Sequence, residues 1–322
     1  MKKILFFFIF ILVLIIGAGL CYSLWSESHP TNHHISFIRM KEGGLFWSDM
    51  RNGAREARSD TGSIVDFYST ADASDVTGQI NYIYEAINKG TECIVITPGT
   101  YYLLKKPLEE AERAGIKVIS IYNEFDKGKG SSTSFYMTDL EPAGAAMAQE
   151  VLRQYHFSYI NAIILGSFDT VTSEQYMARG FTKIIKKVPG VEFRVVWAGR
   201  NIDSIYNQIK GNFRLNKSIN LFFALNDETS EALVRFMKDN QPDHKILTIG
   251  SGNSLMNIEA IETEIMDYSL VINSFAIGYQ SINMAVKLLN KQKISPLGID
   301  YTIVNKKNMF DPEVQKRLFV MP

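Results

Sequence analysis

Cysteine is almost missing from this chain. Of the two present, Cys21 lies in an apolar run and Cys93 in a short apolar segment read as a buried strand. They cannot staple an exterior fold, so a disulfide-held scaffold is excluded, and Cys93 reads as a small buried hydrophobe. Neither sign of charge is in excess, because 34 basic and 34 acidic side chains cancel. No long basic stripe follows residue 25, which argues against a nucleic-acid-binding surface. Histidine is scarce: five occur, and His29, His33 and His34 fall in or beside a polar linker, where they read as solvated rather than as metal ligands. His156 and His244 stand alone. Gly166-Ser167-Phe168 lacks the glycine pattern of a nucleophile elbow, and a phosphate-cradling glycine loop with its lysine is absent. Asp139 and Glu141 could pair as carboxylates, yet acids at a helix start are explained by capping. These absences point away from an enzyme, a metal site and a cofactor.

One long hydrophobic run is present. After Met1-Lys2-Lys3, residues 4–22 carry no charge, and the run continues to Trp25. About twenty apolar residues span a bilayer's ~30 Å hydrocarbon layer as one helix. With the lysines on the cytoplasmic side, everything after residue 26 lies outside. We read residues 1–25 as an uncleaved single-pass anchor. The alternatives are a cleaved signal peptide and a lipoprotein signal with Cys21 as the lipid-bearing residue, although Leu20 stands where a small residue is usual. All three leave the bulk of the chain outside the cytoplasm. Residues 26–33, Ser-Glu-Ser-His-Pro-Thr-Asn-His, read as a linker.

A hydrophobic content of 46% and 12% aromatic residues describe a packed globular protein, not a disordered one. The roughly 290 residues after the linker exceed what one core usually supports, so two lobes are expected. Short apolar runs at 35–38, 64–68, 93–96 and 117–121 alternate with helix-period segments at 45–58, 75–88 and 103–114. After a Gly- and Ser-rich break at 127–134, strands at 162–165, 193–197, 221–224, 246–249 and 269–272 alternate with helices at 141–155, 173–187, 202–213, 228–238, 255–264 and 276–290, followed by an extended tail. Continuously apolar strands between amphipathic helices mean parallel sheets covered on both faces. The predicted fold class is α/β, two doubly wound parallel-sheet lobes with a cleft between them.

Ligands in such sheets bind beyond the carboxyl ends of the strands. The segments there are 39–47, 97–99, 122–124, 166–175, 198–201, 226–228, 251–253 and 273–274, rich in Asn, Asp, Ser, Thr, Gly and aromatics. Amides and hydroxyls both donate and accept, which suits a neutral polyhydroxylated solute. Phe46 and Trp47 could supply flat apolar faces to a sugar ring. The competing reading is that these are ordinary loop and cap residues, where Asn, Asp and Ser are favoured anyway.

Several stretches, in order, resemble a family. They are Leu45-Phe46-Trp47-Ser48-Asp49-Met50-Arg51-Asn52-Gly53-Ala54, Asn88-Lys89-Gly90 leading to Cys93-Ile94-Val95-Ile96-Thr97-Pro98, and Ala114-Gly115-Ile116-Lys117-Val118-Ile119. Phe223-Ala224-Leu225-Asn226-Asp227-Glu228, Ile277-Gly278-Tyr279 and Thr302-Ile303-Val304-Asn305 through Asn308-Met309-Phe310-Asp311-Pro312 follow. From about residue 34 to the end, the chain resembles the type I periplasmic solute-binding proteins of the ribose-, galactose- and xylose-binding group.

The resemblance implies two lobes joined by about three crossovers, with lobe 1 at about 34–137 plus 274–303 and lobe 2 at about 138–273 plus 304–322. It implies that Phe46 and Trp47 sandwich a ligand, that Asn226 bonds its hydroxyls and that Asn273 stands near the family's late-strand Gln. Thr97, Asn123, Asp139, Gln175 and Asn253 complete the candidate binding set. Departures are plain: Tyr122-Asn123 replaces an Asp-Arg pair, Ser251-Gly252-Asn253 lacks the strand-end Asp, Thr97 replaces an Asn and Gln175 an Arg. Fewer charge-assisted bonds mean weaker sugar binding or a different ligand. The expected occupant is a small polar solute, a monosaccharide foremost. The expected partner is an ABC permease or a membrane sensor histidine kinase. The alternatives are an extracytoplasmic enzyme on the same scaffold and a binder of a non-sugar solute such as a signalling molecule.

Overall fold

The structure, a computed structural model, describes residues 32–319 apart from 72–73, 100, 125–133, 137–138, 157, 170 and 296. The anchor, signal-peptide and Cys21 readings lie outside the described residues, as does most of the linker. Among the described residues no helix is long and apolar enough to cross a membrane.

Two sheets organise the chain. The first lobe runs β1 (His34–Arg39), α1 (Leu45–Thr61), β2 (Ile64–Ser69), α2 (Val76–Asn88), β3 (Cys93–Ile96), α3 (Tyr101–Arg113), β4 (Lys117–Ile121) and β5 (Ser134–Tyr136). Its strands are all parallel, in the order β2-β1-β3-β4-β5. The second lobe runs α4 (Glu141–Gln154), β6 (Ile160–Gly166), α5 (Thr172–Ile185), β7 (Val191–Trp197), α6 (Ile202–Leu215), β8 (Leu221–Ala224), α7 (Asp227–Asn240), β9 (Leu247–Ser251), α8 (Leu255–Glu262) and β10 (Tyr268–Ile272). The helix α9 (Ser274–Leu289) then returns to pack on α1 in the first lobe. The chain closes with β11 (Tyr301–Val304) and α10 (Pro312–Leu318). The second sheet has the order β11-β10-β9-β8-β6-β7, parallel except for β11.

The apolar runs set this layering. All four residues of β3 and all four of β8 are buried, as strands covered on both faces require. On α5 the buried stripe includes Met177, Ala178, Phe181 and Ile185, and Phe181 meets Phe223 of β8 with ring centroids 4.7 Å apart. Each such large apolar side chain contributes about 1.5–3 kcal/mol on burial. Glycine lets two helix pairs close in. A Cβ on Gly53 would lie 2.0 Å from the Phe275 carbonyl oxygen, and one on Gly278 would lie 1.8 Å from that of Met50, so α1 and α9 touch backbone to backbone. Gly144 and Gly180 do the same for α4 and α5.

The strand–helix alternation follows the hydrophobic pattern, with differences at the crossovers. Residues 301–303 were expected with the first lobe, but β11 pairs antiparallel with β10 in the second sheet. The tail, expected to be extended throughout, holds α10, whose Leu318 is buried in the second lobe. The short strand β5 follows the Gly- and Ser-rich break, which masked it in the pattern. The chain thus passes between lobes after β5, after β10 and after α9.

Candidate functional site

Both sheets reverse their winding at a point that faces the other lobe. In the first the strand order turns between β1 and β3, and in the second between β6 and β8. A crevice outside the carboxyl ends at such switch points is where open α/β sheets hold ligands. Here the two crevices form one cavity of about 190 Å³, lined from the first lobe by Met40, Lys41, Phe46, Trp47 and Tyr122 and from the second by residues that include Glu174, Arg200, Asn226, Asp227, Glu228 and Asn253. It lies below the roughly 300–1,000 Å³ of sites for drug-sized ligands, so its occupant is small.

The aromatic wall is built by α1 and the turn after β4. Phe46 meets Trp47 edge-on, with centroids 4.9 Å apart and planes at 84°, and Tyr122 packs on both at 4.8 and 6.2 Å. The implied sandwich is corrected by this geometry. Rings in edge contact leave no slot between them, so Phe46 and Trp47 form one wall. Trp47 is buried, and its carbonyl accepts a 2.7 Å bond from Arg39 Nη1. Tyr122 has φ 64°, the left-handed region that costs a non-glycine residue about 1 kcal/mol or more.

The lobes are held shut. Lys41 Nζ, from the loop after β1, donates 2.7 Å to Glu228 Oε1 on α7. Glu124 N–H donates to Thr172 Oγ1 at 2.6 Å, and Ser173 N–H to Asn123 Oδ1 at 3.2 Å. Asp49 on α1 bonds Asn253 on the second lobe; burial raises the Asp49 carboxyl to about 6, with that bond opposing.

Seven side chains besides Phe46 and Trp47 were expected at the guest; two of them line the cavity and a third lies beside it. Asn226 lines the cavity and caps α7 through a capping box, with Oδ1 accepting from Thr229 N–H at 2.8 Å and Nδ2 donating to Glu174 Oε1 at 2.8 Å. Asn253 also lines it, and its Nδ2 donates to the Leu318 carbonyl at 3.0 Å. Asn123 is buried beside the cavity, bridging Pro98 and Ser173. The other four lie away from the lining. Thr97 is fully buried and accepts from Met40 N–H. Asn273 caps α9 and bonds Asp300. Asp139 is exposed and accepts from Glu141 N–H, and Gln175 is exposed and donates to the Asp169 carbonyl. In each case a backbone group takes up the polar atom offered to a ligand.

Side-chain selection missed the ionisable lining. Glu174 is 3% exposed and accepts 2.6 Å bonds from both the N–H and the hydroxyl of Ser167. Burial pushes its carboxyl up, against Ser167, Arg200 and Asn226. Burial also raises Glu228, but the Lys41 bond and charge outweigh it and hold that carboxyl below its usual range. Asp227, pressed by burial and by Glu228 and Glu231, is raised to about 7. Arg200 Nε is buried with no hydrogen-bond partner. The segments 39–47, 166–175, 198–201 and 226–228 contained all of these except Glu231. The signal available was an acid run at Asp227-Glu228 and the step from Gln175 back to Glu174.

Comparison with known proteins adds four findings. Residues 35–293 match the family model described as periplasmic binding protein domain. An ABC transporter solute-binding protein from Agrobacterium vitis with bound D-fucose shares the fold at TM-score 0.80 and 22% identity, over 88% of this chain and 99% of that one. A second from the same organism, bound with α-D-tagatopyranose, aligns at TM-score 0.82 and 19% identity over 89% and 99%. The XylFII–LytSN complex aligns at TM-score 0.74 and 20% identity over 86% and 99%.

Proposed function

This chain belongs to the periplasmic binding protein domain family, and from that premise we propose that it captures a small polar solute, a sugar or a sugar-like molecule, outside the cytoplasm without turning it over. The observation that carries the reading is the single cavity at the paired switch points, with an aromatic wall from one lobe and polar groups from the other. Solutes named for proteins of the same fold, D-fucose and α-D-tagatopyranose, support a monosaccharide-sized guest. Phe46, Trp47, Asn226 and Asn253 contact it. Thr97, Asn123, Asp139, Gln175 and Asn273 hold the loops around it.

Closure converts binding into a new surface that a partner reads. With residues 1–25 as an anchor, the chain works at the membrane. Its closed form serves delivery to an ABC permease or engages the exterior part of a sensor histidine kinase. A fold relative solved together with a second protein, XylFII–LytSN, favours capture by a protein partner. A thermal-shift screen of the full chain against pentoses, hexoses, polyols and amino acids tests the reading. Stabilisation by one sugar class is expected. Stabilisation by no small polar solute, or turnover of the one that binds, overturns it.

A further inference from the structure

The charges around the cavity do not balance. Two cations, Lys41 and Arg200, stand among four carboxylates, Glu174, Asp227, Glu228 and Glu231. Lys41 is spent on Glu228 at 2.7 Å. Glu174 is met by both donors of Ser167 and by the Asn226 amide, with Arg200 as the near charge. Asp227 receives the Ser254 N–H and a 3.4 Å contact from Asn257 Nδ2, and its close neighbours Glu228 and Glu231 carry its own sign. Its carboxylate also packs on the Gly252 backbone, where a Cβ would fall 2.0 Å from Oδ1, so it is wedged in the cavity wall. Among the described residues no three His, Cys, Asp or Glu side chains converge as metal ligands would. These carboxylates surround a volume, not a point, and the same volume has an aromatic wall of Phe46, Trp47 and Tyr122. Aromatic faces and a desolvated carboxylate together favour an organic cation.

We propose that the solute carries a protonated amine beside its hydroxyls, as an amino sugar does, with the ammonium set against Asp227 and the aromatic wall. Arg200 Nε, buried without a partner, donates to an oxygen of the same guest. This rests on the reading of the cleft as a solute site and narrows its chemical class. A neutral sugar leaves Asp227 beside Glu228 and Glu231 with Lys41, already bonded to Glu228, as its near cation, whereas an ammonium supplies an opposite charge of its own.

Titration calorimetry of the full chain near pH 7 with D-glucosamine and D-galactosamine, their neutral parents and their N-acetyl derivatives is the test. At least one amino sugar is expected to bind about tenfold or more tighter than both its uncharged counterparts. In Asp227→Asn that preference should shrink to within about threefold. The wild-type comparison stands without the variant, should the variant fold poorly. Neutral sugars binding as tightly as amines, or a preference unchanged in Asp227→Asn, overturns the inference and leaves the solute-binding reading intact. Binding of neither class overturns both.

Discussion

Asp227→Asn should stabilise the ligand-free chain, and only above the pH at which its carboxyl ionises. An Asp in the unfolded chain releases its proton near pH 4. In the folded chain burial, then the Glu228 and Glu231 carboxylates, raise this one to about 7 against the Ser254 N–H and the Lys41 charge. Between those values the folded state holds the proton more tightly, so stability falls as pH rises through the window, and the full penalty stands above about pH 7. The difference corresponds to about 4 kcal/mol at face value. Asp227 still faces the cavity, and solvent screening reduces this to about 1–3 kcal/mol. Asn removes the charge and keeps the acceptor that Ser254 and Asn257 use. Thermal melts followed by circular dichroism should show the variant gaining roughly 2–6 °C near pH 8, with the gain shrinking to nothing near pH 4. A gain of equal size at both ends, or a loss near pH 8, would refute the assignment of the penalty to this ionised carboxylate. Lower apo stability here is the cost of keeping a carboxylate ready for a cationic guest.

Three further outcomes follow from contacts at the cleft. Lys41→Met leaves Glu228 without its cation, so apo stability should fall by about 1–3 kcal/mol and the radius of gyration in small-angle scattering should rise as the lobes part; an unchanged radius removes Lys41 as a latch. Trp47→Ala empties a site only 7% exposed and should cost about 3–5 kcal/mol in urea unfolding as well as abolish ligand stabilisation, whereas Phe46→Ala, half-buried, should lose the ligand effect at a smaller stability cost. Gly252→Ala places a methyl against Asp227 Oδ1 at φ +97° and should destabilise by about 1–3 kcal/mol; a melting point equal to wild type would show that the loop relaxes freely.

The alternation of strand and helix was legible because the central strands of the two sheets are short apolar runs, and the strand ends marked the cleft for the same reason. What could not be read was which of several neighbouring loop residues points inward. Gln175 and Glu174 differ by one helical position, about 100° of rotation, and that step takes the side chain from solvent to the cavity wall. Thr97, Asn123 and Asn273 have the chemistry of a sugar site, yet a nearby backbone group claims each of them. Asp227 and Glu228 stand in the first turn of α7; that they also face the cavity depends on α7 starting at the switch point of the second sheet. The placement of β11 was hidden because an antiparallel return strand at a sheet edge carries no pattern that separates it from an extended tail.

A crystal structure of the chain with the tightest solute from the screen tests the central claim most directly. Density for one solute molecule is expected between the Phe46–Trp47 wall and Asn226, with atoms within hydrogen-bond reach of Asp227 or Arg200. Density on an outer face of either lobe, with the interlobe cavity empty, would contradict the account.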